Sequence, residues 1–568
     1  MVGATLMYSN ATVNPKSIGA REQLQFSTVR SFEGGLNISD TDLNMAPTFA
    51  KVLDNVERGT DGTLSVRPGT RLFHKSANGS DIINMFYFNA FVIAAHADGS
   101  IYKIDGAGTT TLIEKVGGGN LWTAGVYFVS FTIFNSDLIM ANGKDKPVII
   151  NGHPADARYM LGDYLHDKAS GSNINVPVGL FVIAHGQYTC MAGITGDAST
   201  LYISAKGTSG TWLSDPAPND AIKIDLGPRV SLGSATITGL VAYRDRLIVT
   251  FERGVLPMRL DVYTGTPAVH TPTDDGFVEE FGCLSHRTLF SVGDDTFFAD
   301  TIGVNSIARI STFNTLRPVR ISQLIDELIT NDMKRLTGAQ IARNVFAVYD
   351  LRHFRYILFV PEFEADGVTI KETIGYSYTN IPALNIKAWA RLRGWKWQSA
   401  CRTSLQNVLF STRNKIYAYD FDNQSSNADF LNDPDVESGT GSAVTFEWEL
   451  PWADFKQRMT IKLMRYIGLD TQGNAPFTLE AYVDNIRQYK GTKAPLLSMD
   501  FVGGDAGGYG EDGYGDGPYG GGRVTSEERL FAFVAKFKLL KLRFIGSSKK
   551  NLRFISISIA YLRGSIRR

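Results

Sequence analysis

Cysteine is scarce in this sequence, long apolar runs are absent, and neither sign of charge is in excess. The 568 residues include three cysteines, Cys190, Cys283 and Cys401, in none of the spacings of a disulfide scaffold or a zinc site. We therefore expect three buried, unreactive thiols. No apolar run approaches the roughly 18 residues of a membrane span, and the first residues lack the features of a secretory signal peptide. We expect no stable membrane insertion and no export by an ordinary signal.

Sequence motifs of catalysis and nucleotide binding are also absent. The chain contains no GxxxxGK[ST] phosphate loop, no HExxH, no GxSxG and no EF-hand loop. The glycines at 117–119 are not followed by residues that open a phosphate-binding helix, and the eight histidines are scattered. The sequence therefore predicts no enzyme, no cofactor and no metal site. A glycosidase stays open as an alternative, because carboxylates that meet from distant strands leave no local pattern.

Apolar, strand-like runs separated by short polar or glycine turns are what the sequence does contain. This is the pattern of β-hairpins, and it recurs about every 50 residues, close to the spacing of propeller blades. The sequence therefore predicts a mainly β fold with a β-propeller-like body of six or seven irregular blades. A pair of β-sandwiches with irregular insertions is the alternative. The seven turns are centred at Gly99, Lys144, Gly196, Gly254, Asp294, Leu351 and Asn414.

One segment departs from the β pattern. Apolar residues recur there at helical spacing, and Pro318 precedes them as a signal of helix entry. The sequence predicts one short amphipathic helix that covers the β body. Its apolar face consists of Ile321, Leu324, Ile325, Leu328 and Ile329.

Two segments mark domain boundaries. Residues 423–442 are polar and poor in β-branched side chains, and residues 503–522 contain eleven glycines. We predict an N-terminal platform segment at 1–75, a propeller body at 76–422 and a C-terminal β platform region at 423–568. Residues 503–522 form either a flexible surface loop or a contact loop that uses its tyrosines, Tyr509, Tyr514 and Tyr519.

The charge is unevenly distributed although it sums to zero. Residues 529–568 contain eleven Lys or Arg and no acid, which leaves 46 basic and 57 acidic residues in the rest of the chain. This basic segment either meets phosphates or an acidic neighbour, or forms outer strand faces balanced by nearby acids. The apolar alternation within it shifts phase at Leu540, which predicts a β-bulge near 539–540. Trp395 and Trp397 form either a structural aromatic pair or a platform that stacks a sugar or base.

Three segments carry a resemblance to a known family. The first and second are residues 31–73 and 281–310, and the third is the basic C-terminal run that ends at Arg567 and Arg568. Together they are similar to tail tubular or nozzle proteins of short-tailed bacteriophages. The matched positions are Gly34, Gly35, Leu36, Asn37, Asn55, Gly62, Leu64, Arg67, Pro68, Gly69 and Thr70, then Gly282, Ser285, Gly293, Asp294, Gly303, Val304, Ser306 and Ile307.

The resemblance implies a structural role in a virion. It implies a propeller body, a platform from both chain ends, and six copies around a channel below the portal and adaptor. Such a ring continues the DNA conduit without sequence specificity, retains packaged DNA, supports fibres or a spike, and is assembled in the host cytoplasm into the virion tail. Candidate interface residues are Tyr509, Tyr514, Tyr519, Trp395, Trp397, Lys549, Lys550, Arg567 and Arg568.

Two other functions stay open. The chain is alternatively a carbohydrate-binding or carbohydrate-degrading phage tail protein on the same kind of β scaffold, or a cellular propeller that serves as an interaction hub.

Overall fold

The computed structural model describes residues 24–29, 32, 34–59, 61–165, 176–212, 221–231, 233–264, 269–292, 295–310, 315–381, 386–404, 407–419, 428–458, 460–473, 475–483, 497–501 and 527–563. The chain divides into two compact units. The propeller unit comprises Leu72–Gly375 and Trp395–Ala418, and the terminal unit comprises Met1–Arg71, Tyr376–Gly394 and Tyr419–Arg568. The sequence placed the boundaries after residues 75 and 422, and it assigned residues 376–394 to the body rather than to the terminal unit.

Seven blades, numbered 1 to 7, follow one another through the described residues of the propeller unit. Six of them are separate antiparallel sheets, and blade 6 consists of the first three strands of a larger sheet. Blade 1 consists of Ile82–Phe88, Phe91–His96, Ile101–Ile104 and Thr110–Leu112. Blade 2 consists of Ser130–Phe134, Asp137–Ala141, Val148–Ile150 and Gly162–Tyr164. Blade 3 consists of Phe181–His185, Tyr188–Ala192, Thr200–Ile203 and Ile222–Asp225.

The later blades are less regular. Blade 4 consists of Ile237–Tyr243, Arg246–Phe251 and Gly254–Arg259. The outer edge of Gly254–Arg259 pairs with both Thr273–Asp274 and Val278–Glu279. A small ribbon of Tyr263–Thr264 and Val269–His270 is inserted after this strand. Blade 5 consists of Phe290–Val292, Asp295–Ala299, Val304–Ile310 and Thr315–Arg320. Blade 6 consists of Phe346–Asp350, Arg355–Phe363 and Ile370–Ile381, and the last of these strands continues into the terminal unit. Blade 7 consists of Ser399–Arg402, Val408–Thr412, Lys415–Tyr419 and the early strand Thr70–Lys75.

The first strands of the blades form a closed ring. Each contacts the next from blade 2 to blade 7, and the first strand of blade 7 contacts that of blade 1. Blades 1 and 2 meet where the Asn84 side-chain amide donates to the carbonyl of Val129 and where Phe86 stacks on Phe131. The early strand Thr70–Lys75 completes blade 7, so two segments distant in sequence close the ring.

The core of the propeller unit lies between neighbouring blades. One cluster joins apolar residues of blades 1 and 2, among them Ile93 and Leu138, and another joins those of blades 3 and 4, among them Cys190 and Val249. Because both faces of a strand within a blade are covered, such a strand is buried along its whole length rather than at every second residue, as in Arg246–Phe251 of blade 4.

The terminal unit contains two sheets that interleave both chain ends. In the first sheet, Glu527–Phe537, Lys462–Gly473, Leu552–Arg563, Leu64–Val66 and Val56–Arg58 are neighbours in that order, and Leu24–Val29 also pairs with Leu552–Arg563. In the second, the order is Ile386–Trp395, Val52–Asp54, Val444–Glu449, Leu540–Ser548, Phe477–Val483 and Leu497–Phe501. Gly35–Leu36 pairs with Ile386–Trp395, and Phe49–Ala50 pairs with Gly35–Leu36. The predicted fold class, a propeller-like body with a further β domain from the chain ends, is confirmed.

The described residues contain two short α-helices. The predicted amphipathic helix is present at Asp326–Met333 and buries Ile329 and Met333, but it begins later than the sequence indicated. Pro318 is not its entry residue, because it lies in a strand of blade 5 opposite Ile307. A second helix, Gly338–Asn344, follows, which the sequence did not predict although its N-terminus carries a capping box of Thr337 and Gln340.

Candidate functional site

The first resemblance segment begins with a tight approach between strands. Gly35 has a positive φ of 67°, and a Cβ atom there would lie 2.7 Å from the backbone nitrogen of Trp389. A Cβ atom on Gly34 would overlap the ring of Phe49. The side-chain oxygen of Asn37 accepts hydrogen bonds from the backbone N–H groups of the next turn. These positions therefore shape the start of the terminal unit.

Arg67 is the centre of a buried network in the same unit. Its side chain is 1% exposed, and its Nε donates to Oδ1 of Asn55 at 2.8 Å. Its two terminal nitrogens donate to the two carboxylate oxygens of Asp429 at 2.8 and 2.5 Å, which is the bidentate geometry that suits arginine. They also donate to the backbone carbonyls of Pro68 and Arg393 at 3.1 Å.

The partners of Arg67 are tied to further segments of the terminal unit. Asn55 adopts φ 54°, and its amide donates to the carbonyl of Thr445 at 2.7 Å. Gly69 lies in the extended segment that leads to Thr70, whose hydroxyl accepts from the backbone of Phe430 at 3.0 Å. The network therefore joins an early segment of the chain to residues near 393, 430 and 445.

The second resemblance segment is structural in the same way. Gly303 lies in a turn of blade 5 where a Cβ atom would overlap the side chains of Ser322 and Asp326, and its N–H donates to Asp300 at 2.7 Å. Gly293 and Asp294 lie outside the described residues, between paired strands of blade 5.

Trp395 and Trp397 are not surface residues, and their assignment to an interface was wrong. Both are fully buried, with ring centroids 5.7 Å apart, and Trp397 stacks on Phe410 at 5.1 Å. They belong to an aromatic cluster in the core of the propeller unit. Buried aromatic rings contribute a large apolar area to such a core, so the role of this pair is structural.

Many charges of the basic C-terminal strands are paired inside the terminal unit. Arg543 contacts Glu447 at 2.8 Å and Glu480 at 3.2 Å, and these partners raise its pKa. Lys541 contacts Glu449 at 2.9 Å. This favours the alternative in which outer strand faces are balanced by nearby acids.

The remaining interface candidates are less defined. Lys549 contacts Glu437 at 2.6 Å, whereas Lys550 is exposed. The other candidates lie outside the described residues, namely Tyr509, Tyr514, Tyr519, Arg567 and Arg568.

The three thiols are buried, as the sequence predicted. Cys190, Cys283 and Cys401 are free, and burial raises the pKa of all three, to about 11 for Cys283 and about 12 for Cys401. They are therefore protonated and weakly nucleophilic near neutral pH.

A half-open cavity of about 470 Å³ lies within the described part of the propeller unit. Its walls come from the first strands of blades 1, 2, 5, 6 and 7 and from the residues beside them. No carboxylate is among the residues that line it. Its polar lining includes Asn84, Tyr87, Ser291, Arg287, Arg402 and Ser404.

Two arginines give this cavity a positive charge. Arg287 donates to the backbone carbonyls of Arg343 at 2.8 Å and Gln398 at 2.7 Å, and its guanidinium stacks over the Phe346 ring at 5.0 Å. Burial lowers its pKa to about 10, so it is charged at neutral pH. Arg402 is exposed at the end of the first strand of blade 7.

His286 lines the cavity beside an aromatic cluster. Its ring lies 5.0 Å from that of Phe181 and 6.2 Å from that of Phe128, and its Nδ1 accepts from the backbone N–H of Leu240 at 3.3 Å. Burial, and then the charge of Arg287, lower its pKa to about 4. His286 is therefore neutral near pH 7.

Sequence reasoning missed this cavity. Its residues come from five blades, and neither arginine stands in a motif of known chemistry, so no local spacing indicates the site. The one local signal was that Arg287 lies two residues after Ser285, a position of the family resemblance.

Across the ranges that the structure describes, no group of three His, Cys, Asp or Glu side chains is placed to hold a metal ion. In the same ranges, no helix has the length and apolar character needed to cross a membrane.

No family model and no curated protein matches the chain. Among solved structures, it is similar to a streptogramin B lyase at 10% identity, over 62% of this chain and 97% of the other, with a TM-score of 0.37. It is also similar to YCF48 bound to D1 peptide, at 8% identity over 63% and 99% of the two chains, with a TM-score of 0.36. A computationally designed protein, Ika8, gives 9% identity and a TM-score of 0.32, over 61% of this chain and 99% of the other. At these values the likeness bears on no question of function.

Proposed function

We propose that the chain is a non-enzymatic structural protein of a short-tailed bacteriophage. In this proposal six copies form a ring in the virion tail, the tail nozzle, below the portal and adaptor proteins. The ring continues the channel for double-stranded DNA, retains packaged DNA, guides its ejection and supports tail fibres or a spike.

The observation that carries this proposal is what the resemblance residues build. Gly35, Asn55, Arg67 and Thr70 are within the terminal unit, in contact with segments near 389, 393, 430 and 445. The resemblance implies a platform made from both chain ends, and the matched residues stabilise a unit of that composition. Their roles are structural rather than catalytic, which supports a subunit of an assembly.

The small cavity of the propeller unit supports a DNA channel that lies between several subunits rather than inside one subunit. The cavity has the volume of a small-ligand site, and Phe128, Phe181 and His286 pack together beside it. A lumen for a DNA duplex therefore requires several copies around an axis. Outside residues 529–568 the chain carries more acidic than basic residues, which limits the phosphate contacts that would slow DNA passage.

Quantitative mass spectrometry of purified particles tests this proposal. We expect six copies of the chain per particle, and we expect particles made without it to lose packaged DNA. Complete, infectious particles that lack the chain would refute the proposal.

Saccharide binding is a second candidate function, favoured by the cavity of the propeller unit. Saccharide cleavage has less support there, because the paired carboxylates of a glycosidase are not among the residues that line the cavity. Incubation of the purified protein with host polysaccharide distinguishes the two activities: retention without shortening of the glycan indicates binding alone.

A further inference from the structure

We propose that the cavity of the propeller unit binds a small hydroxylated anion, whose acidic group is held by Arg287 and Arg402. This inference goes beyond the proposed tail function, because it concerns one subunit and holds whether or not the chain assembles into a ring.

Arg287 supplies a fixed positive charge. The two backbone carbonyls that accept its N–H groups and the Phe346 ring beneath it hold the guanidinium in one orientation. Carbonyl oxygens satisfy hydrogen bonds but carry no negative charge to neutralise it. Among the described residues, no carboxylate forms an ion pair with Arg287. Arg287 is half-buried, and a partly desolvated cation without a counter-ion attracts an anion from solution.

Arg402 supplies a second charge at the same cavity. It is exposed, and no described residue forms a hydrogen bond with its side chain or an ion pair with it. Burial and the carboxylate of Asp350 raise the pKa of Tyr349, another lining residue, and the charge of Arg402 opposes that shift. Asp350 itself is fully buried, and its carboxylate contacts His353 at 2.8 Å. Because the carboxylate of Asp350 is buried and contacts His353, it does not pair with Arg402, whose charge is available to a ligand.

The rest of the lining fits a compact molecule with hydroxyl groups. Tyr87 and Ser404 share a hydrogen bond of 2.8 Å and retain further donor and acceptor capacity. The amide of Asn84 and the hydroxyl of Ser291 add polar groups, and the rings of Phe86 and Phe131 provide an apolar wall. Small-molecule sites combine such walls with a few oriented polar groups in volumes of roughly 300–1,000 Å³.

The anionic group is a carboxylate or a phosphate, since arginine recognises both. A sugar acid supplies the first and a sugar phosphate the second. The shared chemistry is one acidic group on a polyhydroxylated body.

Isothermal titration calorimetry on the full chain tests the site. Glucuronate, glucose 6-phosphate and glucose are the three probes. We expect glucuronate or glucose 6-phosphate to bind at least about tenfold more tightly than glucose. Glucose has no acidic group and therefore lacks the charge-assisted hydrogen bonds to the two arginines. Tighter binding of glucuronate identifies a carboxylate ligand, and tighter binding of glucose 6-phosphate identifies a phosphate ligand.

Two variants locate the binding. Arg402→Gln removes one charge from the exposed wall and is expected to weaken anion binding about tenfold or more. Arg158→Gln is the matched control, because this arginine is 64% exposed and lies outside the cavity; it is expected to leave binding unchanged. Absence of binding by both anions, equal binding of glucose, or full affinity in Arg402→Gln would overturn the proposal.

Discussion

Arg67 is the residue on which the buried hydrogen bonds of the terminal unit converge. Its partner Asp429 is 4% exposed, so neither charge is compensated by water. Replacing Asp429 with alanine removes the bidentate carboxylate partner of a buried arginine, and we expect a loss of about 3–5 kcal/mol in the stability of the terminal unit. Hydrogen exchange of Leu64–Val66 under native conditions measures this loss, since it reports on the unit that carries the pair.

Two further variants serve as controls for that prediction. Lys549→Ala removes a half-exposed ion pair of the same unit and is expected to change stability by no more than about 1 kcal/mol. The double variant Arg67→Met, Asp429→Leu removes both charges and is expected to recover most of the loss. If Asp429→Ala costs no more than Lys549→Ala, the account of Arg67 is incorrect.

His286 is expected to make the stability of the propeller unit depend on pH. Its folded pKa of about 4 lies below the usual 6.5, so between these values the unfolded chain binds a proton that the folded chain does not. Stability therefore falls as the pH falls from 6.5 to 4, by on the order of 1 kcal/mol per pH unit, and the loss levels off below pH 4.

Urea denaturation at several pH values checks this, with His286→Gln as the comparison. Glutamine does not titrate, and its side-chain oxygen can accept the N–H of Leu240. The difference in stability between the two proteins should change between pH 6.5 and 4. Parallel pH curves would show that His286 does not titrate as stated.

Single residues were predictable only where a local pattern marked them. The R-P-G-T motif singled out Arg67, but its partner Asp429 lies 362 positions further along the chain, and no local spacing connects them. The same limit applies to Arg287 and Arg402, which separate blades bring to one cavity. Trp395 and Trp397 show the converse error, because their alternate spacing fits an exposed strand face as well as the buried one that they occupy.

At the scale of elements, the seven hairpins recognised in the sequence each lie in a different blade. Their uneven spacing has a structural cause. In blades 1 to 4 and in blade 7 the recognised hairpin joins the second and third strands, whereas in blades 5 and 6 it joins the first and second. The sequence therefore limited the blade number to six or seven, but it did not indicate the position of each hairpin within its blade.

The phase shift at Leu540 marks a different event from the predicted bulge. Glu527–Phe537 ends in the first sheet of the terminal unit, and Leu540–Ser548 begins in the second. The alternation shifts because the chain changes sheet, and the new strand buries its own face. A pattern of period two locates such a break but does not distinguish a bulge from a turn.

The approach of Gly35–Leu36 to Ile386–Trp395 gives a prediction about this element. Gly35→Ala places a methyl group 2.7 Å from the backbone of Trp389 at φ 67°, whereas Gly79→Ala has a similar φ of 72° but no atom within 4 Å. Both variants lose the freedom of glycine at positive φ, at about 1 kcal/mol. We expect Gly35→Ala to cost at least about 1 kcal/mol more, because the strand must also shift.

Urea denaturation of the two glycine variants measures this difference in stability. Hydrogen exchange assigns each loss to its unit, since Gly35 lies in the terminal unit and Gly79 in the propeller unit. Equal losses of stability in the two variants would mean that the close approach at Trp389 is not a constraint.

At the scale of the whole molecule, the neutral total charge conceals local pairing. Strands of the basic C-terminal segment lie beside acidic ones, as Arg543 does beside Glu447 and Glu480, so a smaller positive charge faces outward than the sequence count indicates. Lys550 is exposed and remains a candidate contact with a neighbouring subunit or an adaptor. A closed ring needs two different surfaces on each subunit, because its interfaces are heterologous.

Electron microscopy of the purified protein, alone and in phage particles, is the decisive experiment for the proposed tail function. We expect a sixfold ring with an axial channel, located on the tail axis below the portal. A stable monomer that is absent from the tail axis would contradict it.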